Sequence, residues 1–297
     1  MEAIICIVGF LGAGKTTLLK HLTKKYTEIG WQPFVVLNDY ENAYIDAQQL
    51  TQEQNPTWIK ALHGSCICCS GIQELRETVN RIPKREQGIT LIEANGTSDA
   101  CALIEFLGVG LEPHFLPPVQ ISVVDVSNWQ QRGEHNELEA NQIQVSSLIV
   151  LTHIDAVSEL ELQKATESIQ KINPKAAITN MSNLDLLLLP KLKATENHVE
   201  KIDHLKSHWS SCSIDLPVLA STEIIQQLCS LLPQSILRVK GCCQLTEQEN
   251  YVYFERKPNG TCLIRPFNGI PTTGSKLLTI GPGSNPNVLQ SILDRLY

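Results

Sequence analysis

Five short runs, mostly apolar and rich in β-branched residues, punctuate the first half of the chain: Ile4–Val8, Phe34–Leu37, Ile89–Ile92, Ile121–Val124 and Leu148–Leu151. They do not alternate polar with apolar, so each predicts a strand buried on both faces of a parallel sheet rather than one half-exposed to water. Thr57–Leu62 is a sixth strand candidate. Between the runs, apolar residues fall at helical spacing over Lys15–Ile29, Gly71–Arg81, about Glu134 to Gln144, and Ser158–Ile172, where Asn173-Pro174 supplies a stop. Strand and helix in alternation predict an α/β doubly wound fold. The pattern degrades from about Met181 to Ser211 and then resumes in shorter units: a helix from Ser221 to Leu232, strands over Ile236–Leu245, Tyr251–Glu255, Thr261–Arg265 and Leu277–Ile280, and a closing helix over Asn285–Leu296. The predicted organisation is an α/β domain over residues 1–185, a linker over 186–211 and a small α+β domain over 212–297.

Composition supports a folded chain and narrows its partners. At 297 residues, 42% hydrophobic and 19% charged, the protein has material for two ordinary domains. A net charge of −7 supplies no basic field for a phosphate backbone, which argues against nucleic acid as a partner. The first apolar run is too short for a signal segment and no run reaches the ~18 residues of a membrane helix, so a cytosolic protein without a membrane partner is expected. In a reducing compartment, close clusters among its ten cysteines read as metal or redox sites before disulfides.

Gly9-Phe10-Leu11-Gly12-Ala13-Gly14-Lys15-Thr16 follows the first strand and opens the first helix, the setting a phosphate-binding loop needs. Its glycines let successive N–H groups turn inward, and the helix dipole adds positive potential. Gly9, Gly12, Ala13, Gly14, Lys15, Thr16 and Thr17 are the candidate phosphate contacts, with Lys15 bridging the β- and γ-phosphates and Thr16 ligating Mg²⁺. Glu93 sits where the Ile89–Ile92 strand ends, placed to hold a Mg²⁺-bound or attacking water, and Gly96 follows where a backbone N–H can meet the γ-phosphate. Thr152-His153-Ile154-Asp155 ends the Leu148–Leu151 strand, where G domains carry Asn/Thr-Lys-x-Asp. A carboxylate at Asp155 accepts from both N1–H and the exocyclic amine of guanine, a donor pair that adenine lacks, which favours GTP. His153, in place of the lysine, can stack on the purine.

Cys66-Ile67-Cys68-Cys69 packs three thiols into four positions just before a helix. Thiolates favour Zn²⁺ and softer ions, and adjacent cysteines pair with each other only under strain. Cys6, Cys101, Cys229, Cys242 and Cys243 fall inside strand or helix patterns and are read as small core residues. The linker carries His198, His204 and His208, with Cys212 just beyond; His204, His208 and Cys212 fall at helical spacing but are read as solvated.

Together these motifs, with Asn38-Asp39-Tyr40 through Ile45-Asp46, Glu93 to Gly96, Asn173-Pro174, and Leu232-Pro233 through Ile236 to Gly241, resemble the CobW family of P-loop GTPases over nearly the whole chain. The resemblance implies a P-loop G domain with a mainly parallel sheet and a CobW-type carboxyl-terminal domain. It implies Mg²⁺-dependent GTP hydrolysis by Lys15, Glu93 and the switch residue Asp39, coupled to Zn²⁺ or Co²⁺ held by Cys66, Cys68 and Cys69 for a client metalloprotein. Self-association is left open.

The chain also departs from that family. Asn38-Asp39-Tyr40-Glu41-Asn42 replaces Asn-Glu-Phe-Gly-Glu, and Thr152-His153 replaces Asn-Lys. An Asn lacks the charge a carboxylate brings to a metal. A GTP- and metal-responsive switch with little turnover is therefore the alternative reading, and an ATP-dependent small-molecule kinase a more distant one.

Overall fold

The computed structural model describes residues 1–38, 58–62, 72–98, 100–194, 211–236, 238–246, 251–256, 260–267, 269–271, 274–280 and 284–296. Their contacts cluster into two compact units, each with its own sheet.

The first unit is built from β1 (Ala3–Val8), α1 (Lys15–Glu28), β2 (Gln32–Asn38), β3 (Ile59–Leu62), α2 (Ile72–Asn80), β4 (Gly88–Glu93), α3 (Ala100–Leu107), β5 (Val119–Asp125), α4 (Asn136–Gln144), β6 (Leu148–Thr152), α5 (Glu159–Ile172) and β7 (Ala177–Asn180). Its strands pair in the order β3-β2-β4-β1-β5-β6-β7, and every pairing is parallel. β1, β4, β5 and β6 are buried along their whole length, which is why their sequences do not alternate. All six expected strands and four expected helices form, with ends shifted by a few residues. α3 and β7 were not expected as elements. β7 is a four-residue edge strand, none of it fully buried, and so lacks the apolar signal of the inner strands.

Asn173 explains the stop after α5. Fully buried, it donates through Nδ2 to the carbonyls of Ile143 (2.8 Å), Gln144 (3.2 Å) and Ser146 (2.9 Å), while Oδ1 accepts from the N–H groups of Lys175 and Ala176. One side chain thus satisfies carbonyls left over at the end of α4 and turns the chain into β7. At the other end of α5, Ser158 and Glu161 form a reciprocal capping box.

The second unit holds β8 (Ser211–Asp215), α6 (Thr222–Leu231), β9 (Arg238–Gln244), β10 (Tyr251–Arg256), β11 (Cys262–Phe267), β12 (Lys276–Ile280) and α7 (Pro286–Leu293). Its sheet runs β11-β10-β9-β12-β8, antiparallel throughout. Ile225, Leu228 and Leu232 near α6 and Leu289, Ile292 and Leu293 on α7 share a core with Val239, Cys243, Phe254 and Leu277 of the sheet. Cys242 points the other way, into a smaller cluster with Tyr253, Phe267 and Leu278, as neighbours on a strand must. Gly241 faces Phe254 across β9 and β10, and a Cβ there would strike the ring. Cys212 lies on β8, so the helical face suggested by its spacing from His204 and His208 does not extend through it. No helix among the described residues is long and apolar enough to cross a membrane.

Candidate functional site

In a parallel sheet all strands deliver their carboxyl ends to one edge, and at that edge lie buried Asn38, Glu93, Asp125 and Thr152. β1 runs into the loop Gly9–Gly14. Gly9 (φ +142°), Gly12 (φ +79°) and Gly14 (φ +97°) adopt conformations that L side chains rarely reach, and a Cβ on Gly9 would run into the carbonyl of Val123 on β5. The loop therefore bends tightly over the sheet before α1 begins at Lys15.

Lys15 is 4% exposed, and its ammonium donates to the carbonyls of Gly9 (2.9 Å) and Phe10 (3.1 Å), which hold it across the loop. Thr16 donates its hydroxyl to Glu93 Oε1 at 2.7 Å. Walker-type threonine and strand-end carboxylate, 77 residues apart in sequence, are thus in direct contact. Thr17 is exposed and Ala13 buried.

The segment after Glu93 is fixed to the same loop. Ala94 N–H donates to the Ile7 carbonyl at 3.0 Å, and a Cβ on Gly96 would lie 2.8 Å from Leu11 N, so only glycine allows this approach. Gln142 of α4 donates to the carbonyls of Gly96 and Ser98, both at 3.3 Å, pinning the segment from the far side.

At the end of β6, Thr152 Oγ1 donates to the carbonyl of Ala13 at 2.8 Å, with Val124 O also near at 3.1 Å. The threonine ties the turn after β6 to the loop after β1. His153 sits in a left-handed conformation (φ +55°), about half exposed, and Asp155 is exposed.

One constellation was not foreseen. Asp125 ends β5, is 1% exposed, and lies 3.2 Å from His153 Nδ1; it also accepts from Ser127 N (3.0 Å), Ser127 Oγ (2.6 Å) and Asn128 Nδ2 (2.8 Å). Burial pushes this carboxyl up, but the hydrogen bonds from His153, Ser127 and Asn128 outweigh it and hold it well below the usual carboxylate range. Arg132 lies between Asp125 (3.5 Å) and buried Glu139 of α4 (3.8 Å), with its guanidinium over the Phe10 ring at 4.7 Å. Burial raises the Glu139 carboxyl to about 7, against the opposing charge of Arg132. Asp125 was visible in the sequence as an acid at a strand end, the same signal that singled out Glu93. Arg132 and Glu139 carried none, because their placement depends on how the turn after β5 folds back.

The carboxyl end of β7, Asn180, with Asn183 beyond it, helps line a cavity of about 240 Å³ together with Leu151, Ile154 and Thr166, beside the His153 turn. Asp39, Cys66, Cys68 and Cys69 lie outside the described residues, as do His198, His204 and His208. Among the described residues, no cluster of three or more His, Cys, Asp or Glu side chains is arranged to hold a metal ion.

The sequence pattern described as "CobW/HypB/UreG, nucleotide-binding domain" matches residues 3–180. Zinc chaperone YjiA of Escherichia coli is 26% identical over 277 residues, covering 85% of each chain. Zinc chaperone CobW of Pseudomonas aeruginosa is 25% identical over 287 residues, covering 80% of this chain and 76% of its own. Among solved structures, Zn(II)-bound YjiA GTPase from E. coli aligns over 100% of this chain and 99% of its own, at 18% identity and a TM-score of 0.44.

Proposed function

The chain belongs to the CobW/HypB/UreG family by its nucleotide-binding domain, and on that premise we propose that it hydrolyses GTP and couples the nucleotide state to loading and delivery of a transition metal, Zn²⁺ or Co²⁺, held at Cys66, Cys68 and Cys69. The work on the nucleotide belongs to residues 1–185, joined through 186–211 to a CobW-type domain over 212–297. A client metalloprotein receives the metal. The names of two relatives as zinc chaperones support the cargo.

The observation that carries the nucleotide part is the 2.7 Å contact between Thr16 and Glu93 beside buried Lys15. A hydroxyl and a carboxylate meeting at a phosphate loop are a hard oxygen donor set, which fits Mg²⁺. Thr16 and Glu93, directly or through water, would hold that ion, and bound there it neutralises phosphate charge. Lys15 is already aimed across the loop and needs only to trade two carbonyls for phosphate oxygens. Gly96, against Leu11, offers its N–H near the third phosphate, and Asp39 in the adjoining switch acts with Lys15 and Glu93 on the attacking water. Asp155 accepts from guanine, while Thr152 and His153 hold the turn that presents it.

The segment of Cys66, Cys68 and Cys69 follows β3, and the switch from Asn38 follows β2, its neighbour in the sheet. Two segments leaving adjacent strand ends can exchange free energy, and by linkage each ligand strengthens the other by the same factor. Zn²⁺ titration of the purified protein with a non-hydrolysable GTP analogue and with GDP tests this. Tighter binding with the GTP analogue is expected, together with Co²⁺–thiolate absorption lost on changing Cys68 and Cys69 to Ala. Equal metal affinity in the two nucleotide states would remove the coupling and leave a GTPase with an incidental Cys cluster.

A further inference from the structure

The second unit contains a thiol pair that no part of the nucleotide or metal reading uses. Cys229, on α6 and 2% exposed, and Cys262, the first residue of β11, bring their sulfurs to 3.2 Å. β11 is an edge strand and Cys262 is partly exposed, so one sulfur of the pair is within reach of solvent and the other is not.

The approach is built into the fold. Arg256, the last residue of β10, stands directly opposite Cys262 in the strand register. Its guanidinium donates to the carbonyls of Cys229 (3.2 Å), Leu232 (2.8 Å), Pro233 (3.1 Å) and Ile236. The backbone of Cys229 is thereby tied to the strand neighbour of Cys262, and the end of α6 cannot drift from β11. A disulfide bond measures about 2.05 Å, so the sulfurs need to close by only about 1 Å, a small side-chain rotation.

The two thiols are also chemically unequal. The hydrogen bond between the two sulfurs, aided by the Arg256 charge, holds the Cys262 thiol below its ordinary value. The same hydrogen bond, with burial, pushes Cys229 up. By contrast, burial pushes Cys6, Cys242 and Cys243 up to about 12, which keeps them protonated and unreactive.

We propose that Cys262 and Cys229 form a thiol–disulfide exchange site that reacts with a low-molecular-weight disulfide and closes a reversible bond between α6 and β11. The Cys262 thiolate attacks one sulfur of the small disulfide, forming a mixed disulfide and expelling one thiolate, which takes a proton from solvent. With Cys262 taken into the mixed disulfide, its thiolate no longer raises Cys229; Cys229 loses its proton to solvent, attacks the Cys262 sulfur and expels the second small thiolate, which takes a proton from solvent. Two protein thiols are oxidised and one small disulfide is reduced to two thiols.

The test uses the full chain in mixtures of oxidised and reduced glutathione, followed by alkylation of remaining thiols, digestion and mass spectrometry. Expected is a linked Cys229–Cys262 peptide pair in the wild type, removed again by excess reduced glutathione. Cys229→Ser, checked for folding by circular dichroism, should accumulate glutathione on Cys262, and Cys262→Ser should leave Cys229 unmodified. A wild-type protein in which both cysteines stay fully alkylatable under oxidising mixtures overturns the proposal without recourse to any variant. So does a folded Cys229→Ser protein that carries no adduct at Cys262.

Discussion

The two sheets of this protein bury polar groups in different ways, and the difference locates the function. The parallel sheet buries Thr90, Gln120 and Ser122 inside its strands, but it also buries Glu93, Asp125 and Thr152 at strand carboxyl ends, each touching a residue that follows another strand. In the antiparallel sheet, buried Thr279 lies inside a strand, and its hydroxyl lies 3.4 Å from the carbonyl of Cys212 on the neighbouring strand. Polar groups inside a sheet hold strands together. Polar groups gathered along one edge, with glycines clearing space among them, leave room for a ligand that must be gripped from several strands at once. The first unit is organised around something it binds, and the second around its own core.

The largest effect that would separate the two regions comes from Lys15. Its side chain is buried, and its ammonium donates to two carbonyls of its own loop. Lys15→Ala should cut GTP hydrolysis by ~1,000-fold, the scale of losing a charge aimed at a developing phosphate charge. Thermal unfolding of both units should stay close to wild type. Turnover retained in a folded Lys15→Ala protein would break the contrast, since the strand-end cluster would then hold no phosphate.

Much of that contrast was already legible in the chain. The inner strands announced themselves because burial on both faces leaves them apolar, and the phosphate loop because Gly9, Gly12 and Gly14 occupy positive φ that side chains avoid. Short strands with polar outer faces carried less. β7 was not foreseen, and with it the edge of the cavity beside the His153 turn. The network of Asp125, Arg132 and Glu139 was hidden for another reason. Its members stand 14 residues apart at most in sequence, yet nothing in their spacing says that the turn between them folds back under Phe10. Burial of a charge is a tertiary fact, and a sequence shows only the charge.

Glu139 gives the next effect. Its carboxyl titrates near 7 in the folded protein and near 4.5 when the chain is unfolded. A folded value raised in this way favours the protonated form, so the contribution is full below about pH 4.5 and is lost as pH rises through 7. The shift corresponds to up to about 3 kcal/mol. Glu139→Gln, which keeps the shape and removes the titration, should therefore gain stability relative to wild type between pH 5 and pH 8. Denaturant unfolding at the two pH values measures it. Parallel pH dependence in the two proteins would mean that Arg132 pays the full cost of burying the charge, and the network would be as self-contained as anything in the second sheet.

The smallest expected effect bears on the finest distinction the strand ends make, that between two purines. Asp155 is exposed at the end of a turn whose other residues are anchored: Thr152 to the Ala13 carbonyl and His153 to Asp125. The turn is held by the phosphate loop on one side and by β5 on the other, so Asp155 is free to spend both oxygens on a base. Guanine presents N1–H and an amine to it, and adenine presents no such pair. Asp155→Ala should weaken GTP by ~10-fold and leave ATP unchanged, the cost of removing one paired acceptor group. Asp155→Asn sharpens the test, because an amide offers one donor and one acceptor and so matches xanthine, whose ring carries a carbonyl where guanine carries the amine. Competition titrations should show the asparagine variant gaining xanthosine triphosphate as it loses GTP. Selectivity for GTP that survives both substitutions would place base choice elsewhere, and the cavity lined by Asn180 and Asn183 would be the region to change next.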